Sequence, residues 1–161
     1  KDERGRKTIY DLLPRHNRLF SIGRLDYNTT GVIFITSDGD FCQLLSHPKN
    51  NFKKKYFVVT DKKLTKNNTV EIKNGIRVNG KAMKGSFKFL SREGVNSYLW
   101  EITLKEGKNR EIKRIFNFYN VNVLNLHRFE FAGFKLDSLK IGKFKNIKKN
   151  EIKRIFNYEY R

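Results

Sequence analysis

Three observations predict an α+β fold with a mostly antiparallel mixed sheet for this chain. Tyr98, Trp100, Ile102 and Leu104 alternate with Leu99, Glu101 and Thr103, the period-2 pattern of a strand with one face in a core. Ile76-Arg77-Val78 and Lys81-Ala82-Met83 flank Asn79-Gly80, a pair favoured in tight antiparallel hairpins. Helical segments with their own start and stop residues interleave with such strands, and no linker rich in Pro, Gly or Ser divides them. At 161 residues one sizeable core is within reach, so one domain over residues 1–161 is expected.

Taken in order, residues Lys1 to Thr8 are charged and expected to fray. Ile9 to Leu13 has helical spacing, and Pro14 ends it. Leu19 to Ile22 leads into a polar loop. Val32 to Thr36 is a continuous β-branched and aromatic run, read as a strand covered on both faces. Asp38 is a cap for a short helix through Asp40–Ser46, which His47-Pro48 terminates. Tyr56 to Val59 is the next strand, and Thr65 opens a helix carrying Val70 and Ile72 that Asn74-Gly75 closes. After the hairpin come a short strand at Phe87–Leu90, the alternating strand to Leu104, a helix from Arg110 to Tyr119, strand-like runs Val123–Phe131 and Phe134–Leu139, and a terminal helix Lys149–Tyr158. The heptapeptide Glu111–Asn117 recurs as Glu151–Asn157, but the flanks differ, which argues against a repeat architecture.

Thirty-five Lys and Arg against sixteen Asp and Glu give a net charge of +19. A charge so far from zero suits a polyanionic partner, because contact with phosphates releases their condensed counterions. The single cysteine, Cys42, excludes an intrachain disulfide and a cysteine-rich zinc site, and its apolar neighbours make it a structural thiol. His16, His47 and His127 lack metal-ligand spacing, so no metal is expected. No apolar run approaches the ~20 residues that span a bilayer, and the expected setting is soluble and reducing.

The chemistry-bearing stretch is Gly23-Arg24-Leu25-Asp26-Tyr27-Asn28-Thr29-Thr30-Gly31. It holds a lone carboxylate on a glycine-bounded loop that feeds an apolar run. An aspartate in such a loop otherwise makes a turn or a cap. Here Arg24 lies two residues away, Thr29 and Thr30 are placed to fix the loop through backbone hydrogen bonds, and Gly31 permits close backbone approach.

The Gly23–Asp40 segment resembles the GRLD-x-x-T-x-G-L-L-L-L-T-N-D-G segment of the pseudouridine synthases, in particular the branch that modifies bacterial ribosomal RNA (the RsuA type). His47-Pro48 with Lys55-Tyr56-Phe57-Val58, and Ile102 to Arg114 (I-T-L-K-E-G-K-N-R-E-I-K-R), are similar to later motifs of that family, and Leu126-His127-Arg128 and Leu139–Phe144 to weaker ones. The resemblance implies the pseudouridine synthase fold with a central RNA-binding cleft, and isomerisation of a uridine in RNA. By it, Asp26 is the catalytic carboxylate that acts at the ribose to detach uracil, by attack on C1′ or removal of a C2′ proton. Tyr56 stacks on the target base and helps remove the C5 proton. Lys113 takes the place of an arginine that pairs with the aspartate, a point charge where the family has a bidentate fork. Arg24, Lys53, Lys54, Lys55, Lys108, Arg110, Arg114 and Arg128 are expected RNA contacts. Arg110 and Arg114 share one helix face and Lys113 is offset from it, so all three cannot meet one carboxylate.

The reaction exchanges an N–C for a C–C bond within one nucleotide, so neither cofactor nor metal is implied. The expected state is a monomer in a bacterial cytoplasm or an organelle of bacterial descent. The family's first strand, with its K-P-x-G motif, and the S4-type RNA-binding domain of many members precede the point where this sequence starts, so stability and RNA affinity are expected to suffer more than the site itself. The rival expectation is a noncatalytic RNA-binding or ribosome-assembly protein that keeps the fold.

Overall fold

The computed structural model describes residues 5–14 and 18–158; Lys1–Arg4, expected to fray, and His16 lie outside the described residues. The strands are β1 (Phe20–Ile22), β2 (Thr29–Gly31), β3 (Phe34–Thr36), β4 (Lys54–Thr60), β5 (Ile76–Val78), β6 (Lys81–Met83), β7 (Ser86–Gly94), β8 (Ser97–Leu104), β9 (Val123–Phe131) and β10 (Phe134–Lys135). The helices are α1 (Gly39–Ser46), α2 (Lys66–Asn74), α3 (Glu111–Phe118) and α4 (Lys149–Phe156), with single 3-10 turns at Ile9–Leu12 and Pro48–Asn50.

The main sheet runs β10-β9-β4-β8-β7, and every neighbour along that path is antiparallel. β2 joins it parallel to β9, aligning Thr29 with Leu126 and Gly31 with Arg128. β1 and β3 form a separate ribbon, as do β5 and β6. The architecture is the α+β class with a mostly antiparallel mixed sheet that the pattern predicts. Among the described residues no helix is long and apolar enough to cross a membrane.

Local chemistry explains most boundaries. The Asp38 carboxylate accepts from the Phe41 N–H at 2.9 Å and starts α1. Thr65 and Asn68 make a reciprocal capping pair at α2. Asn79 (φ 49°) and Gly80 (φ 75°) both adopt left-handed backbone, which a two-residue hairpin turn of the right twist demands.

Two cores result. One joins the sheet to α2 and α3 through Val58, Ile72, Met83, Trp100, Ile102, Ile115 and Phe116. Within it the Trp100 indole N–H donates to Thr60 Oγ1 at 2.9 Å, satisfying a buried polar pair. The other gathers Ile22, Phe34, Phe41, Leu45, Phe131 and Phe134 with Ile152 of α4, and Phe156 stacks on Phe134 there.

Three expectations are corrected. The strand expected at Val32–Thr36 is only Phe34–Thr36, pairs with β1 alone, and buries Phe34 and Thr36 but not Ile35. Val32 is drawn away because its N–H donates to the Arg128 carbonyl at 2.9 Å. The run Phe134–Leu139 stops as a strand at Lys135, ahead of the left-handed Asp137. The third is β2 itself, three residues inside what reads as loop, paired to β9 from across the chain.

Candidate active site

A cleft of about 370 Å³ opens where the Gly23–Thr29 loop, the His47-Pro48 turn, the start of β4, the Lys105–Lys113 segment and β9 converge. The loop is set by its own backbone, since Thr29 N–H donates to the Asp26 carbonyl at 2.8 Å. It is then clamped into the sheet by β2–β9 pairing. This holds the Asp26 carboxyl at the cleft mouth, with its side chain 35% exposed.

Lys113 comes to it from the first turn of α3, Nζ to Oδ2 at 3.3 Å. The left-handed Arg110 (φ 51°) precedes that turn and redirects the chain into the helix. The ion pair fixes where the carboxylate points. Lys113→Met is therefore expected to lower turnover about 100-fold, ~2.7 kcal/mol, while Lys113→Arg keeps most of it. Single-turnover rates of the two variants check this, and a methionine variant as fast as the parent refutes the pairing role.

A bulge in β9 builds the cleft floor. Lys55 pairs with Glu130 but Tyr56 pairs with Arg128, leaving Phe129 as the extra residue. Side-chain parity switches there, so Arg128 and Phe131, an odd number of residues apart, both line the cleft beside Lys54 and Tyr56. The Phe129 ring stacks instead on Phe57, centroids 4.1 Å apart.

Tyr56 is buried at 7% exposure. Burial pushes its phenol above the ordinary tyrosine value, against the opposing pull of the nearby Arg128 guanidinium. Lys54 sits with its ammonium 5.0 Å from the Phe131 ring. Burial, and then the charge of Arg128, hold it below the ordinary lysine value.

The expected phosphate contacts separate by location. Arg24, Lys54, Lys108, Arg110 and Arg128 line the cleft, whereas Lys53 and Lys55 do not. Lys55 is ion-paired to Glu130 at 3.1 Å, and Lys53 is exposed. Lys108 bridges to Glu106. Arg128 is 2% exposed, its Nε donating to the Val32 carbonyl at 2.8 Å, so any group it meets has to enter the cleft. Arg114 faces a neighbouring groove that it shares with Arg110, Lys113 and Asn117. Among the described residues no cluster of His, Cys, Asp and Glu could hold a metal ion.

Two features lie outside the reading of the sequence. The Thr29 hydroxyl, expected to brace the loop, has no partner among the described residues; Thr30 Oγ1 instead meets His127 Nδ1 at 2.7 Å. Glu111, read only as a helix residue, is 4% exposed in the cleft wall. Its carboxylate accepts the Lys108 N–H at 3.0 Å. A left-handed residue just before a helix is the signal that would have turned it inward, and sequence pattern does not show one at an arginine.

Burial, the largest influence, raises the Glu111 carboxyl, with the Lys108 N–H and ammonium opposing. The folded chain then holds that proton to higher pH than the unfolded chain does. Its contribution to stability is complete below the unfolded carboxylate value and declines as pH rises through the raised one. Glu111→Gln removes the decline: thermal melts should coincide with the parent below about pH 4 and run a few degrees higher at pH 7. A lower melting temperature at pH 7 would contradict the assignment.

The model of the family described as RNA pseudouridylate synthase matches residues 1–118. The chain belongs to that family. It is 37% identical over 153 residues to the "uncharacterized RNA pseudouridine synthase" of Rickettsia bellii, covering 92% of this chain and 65% of that one. To ribosomal large subunit pseudouridine synthase B of Bacillus subtilis it is 32% identical over 158 residues, 96% of this chain and 65% of that one. The chain thus spans less than two thirds of the length of these relatives. A crystal structure of a pseudouridylate synthase superposes with a TM-score of 0.82 at 28% identity, covering 92% of this chain and 65% of that chain. A chain in a structure of an H/ACA RNP bound to a substrate RNA containing 2′-deoxyuridine shares the fold, with a TM-score of 0.56 at 18% identity. The pseudouridine synthase fold expected from the Asp26 loop and its companion motifs is the fold observed.

Proposed function

We propose that this chain isomerises a specific uridine to pseudouridine in RNA, and that its substrate is ribosomal RNA. One observation carries the reading: a carboxylate at a cleft mouth, held by a cation at 3.3 Å, stands beside a buried tyrosine inside the same cleft. The target uridine leaves its stack and enters the cleft, at a cost of a few kcal/mol offset by stacking and edge contacts. Asp26 acts at the ribose, Lys113 holds it, and Tyr56 stacks on the base and assists loss of the C5 proton. The net charge of +19 supplies the pull on phosphates, with Arg24, Lys108, Arg110 and Arg114 around the opening and Lys53 and Lys55 farther out.

The ribosomal choice is supported by the name of the Bacillus relative. The working unit in this reading is a monomer. The bacterial sources of the relatives support a bacterial cytoplasm, or an organelle of bacterial descent, as its place.

The test is tritium release from ribosomal RNA labelled at uracil C5, with the product nucleoside resolved chromatographically. Release in step with pseudouridine is expected. RNA binding without release, in this chain and in a version extended upstream, would instead favour a binding protein.

A further inference from the structure

Two side-chain polar atoms among the described residues are buried with no hydrogen-bond partner in the chain: Thr29 Oγ1 and Arg128 Nη2. Both residues line the cleft. Orphaned buried polar groups are rare because each keeps its full desolvation cost, so two in one site call for an explanation. Arg128 has little freedom to seek a partner elsewhere. It is 2% exposed, its Nε is held by the Val32 carbonyl at 2.8 Å, and its guanidinium lies 5.1 Å from the Phe131 ring centroid. The Lys54 ammonium is beside the same ring. The cleft wall thus holds two enclosed, unpartnered donors and two desolvated cations.

We propose that this floor recognises the carbonyl edge of the flipped uracil and stabilises the negative charge that the base carries once detached, with Arg128 and Thr29 as donors and Lys54 as a second positive charge. The inference rests on the isomerase reading above. Depth decides for base over phosphate. Asp26 is at the mouth and works on the ribose, so the base lies farther in, against Tyr56, while the phosphates stay outside with the strand.

The chemistry gives the donors two tasks. When the N1–C1′ bond breaks, its electron pair leaves with the base, and the resulting uracil anion spreads its charge over O2 and O4. Fixed donors aimed at a developing oxyanion act without reorganisation in a site closed to water. The base then turns so that C5 faces C1′. The C5–C1′ bond forms, C5 loses its proton and N1 gains one, which balances the isomerisation.

A half-turn about the N3–C6 axis exchanges N1 with C5 and, with them, O2 with O4. A donor fixed on the floor therefore meets a carbonyl before and after the turn. Cytosine carries an amino donor in place of O4, so in one of the two orientations it would oppose donor to donor. The same floor would then select uracil and tolerate its rotation.

Thr29→Val and Arg128→Lys test this beside the parent and Asp26→Ala, by single-turnover tritium release, RNA affinity and melting temperature. Each floor variant is expected to slow release about 10- to 100-fold, with the RNA dissociation constant within about threefold of the parent. Release within twofold of the parent in both variants overturns the inference, as does RNA affinity that falls in step with rate, which would place the donors on the backbone. Thr29→Val is nearly isosteric and decides alone if Arg128→Lys does not fold. A parent that releases no more tritium than Asp26→Ala overturns the isomerase reading itself, an outcome distinct from an active parent with unaffected floor variants.

Discussion

Asp26→Ala is expected to lower tritium release from ribosomal RNA by about 10⁴-fold or more, ~5.4 kcal/mol of transition-state stabilisation, while changing the RNA dissociation constant by less than about threefold. The asymmetry follows from where the energy of each process resides. Affinity for RNA comes from many phosphate contacts, and the counterions they release make it salt-dependent. One carboxylate at a cleft mouth adds little to that sum and removes a like charge from it when deleted. In the proposed mechanism no other carboxylate of the cleft replaces it, because among the cleft-lining residues Glu106 and Glu111 are committed to Lys108 through its ammonium and its backbone N–H. Single-turnover rates and filter-binding titrations on the two proteins check the prediction. Losses of equal size in rate and affinity would make Asp26 a binding residue and reject its catalytic role.

Gly31→Ala is expected to destabilise the protein by about 3 kcal/mol or more, the range of severe steric substitutions, and to lower the melting temperature by roughly 6–12 °C for a chain of this size. A Cβ at Gly31 would stand 2.2 Å from the Arg128 carbonyl oxygen, 2.6 Å from its nitrogen and 2.8 Å from its carbonyl carbon. These are backbone atoms of the central β9 strand and cannot swing aside as a flexible side chain would. The residue's φ of +128° adds strain for any L side chain. The strands must separate, and with them goes the pairing that positions the Asp26 loop, so activity should fall further than stability alone explains. Circular dichroism melts read the first effect, and residual tritium release at a temperature where the variant is folded reads the second. A variant that melts with the parent would mean that β2 does not pack on β9 this closely.

Much of the fold is legible in local pattern. The Tyr98–Leu104 alternation, the Asn79-Gly80 turn, the Thr65 and Asp38 caps and the Val123–Phe131 run each rest on interactions within a few residues, and each appears at the expected place. The site was legible in part. The loop bearing Asp26, the tyrosine at position 56 and the basic segment around Lys113 line one cleft. Their convergence is a property of β2 pairing with a strand about a hundred residues later, and three residues that read as Thr-Thr-Gly loop carry no strand signal of their own. The bulge at Phe129 was equally hidden, since it arises from the register between β4 and β9 rather than from either strand. That register turns Arg128 from a surface cation into a buried one.

The repeated heptapeptide separates the two levels. Glu111–Asn117 and Glu151–Asn157 are identical, and both form helix, because spacing of Ile and Phe with good helix formers is a local property. The first isoleucine of each copy, Ile112 and Ile152, is buried, but the environments diverge beyond it. In α3, Ile115 and Phe116 are fully buried and Lys113 meets Asp26; in α4, Ile155 is 41% exposed and only Ile152 is fully enclosed. Sequence by itself determined that each segment coils and which stripe is apolar. Only tertiary structure decided which copy has the sheet on one side and the Asp26 loop on the other, since a carboxylate becomes a neighbour of a given lysine through long-range strand pairing that the seven residues do not encode.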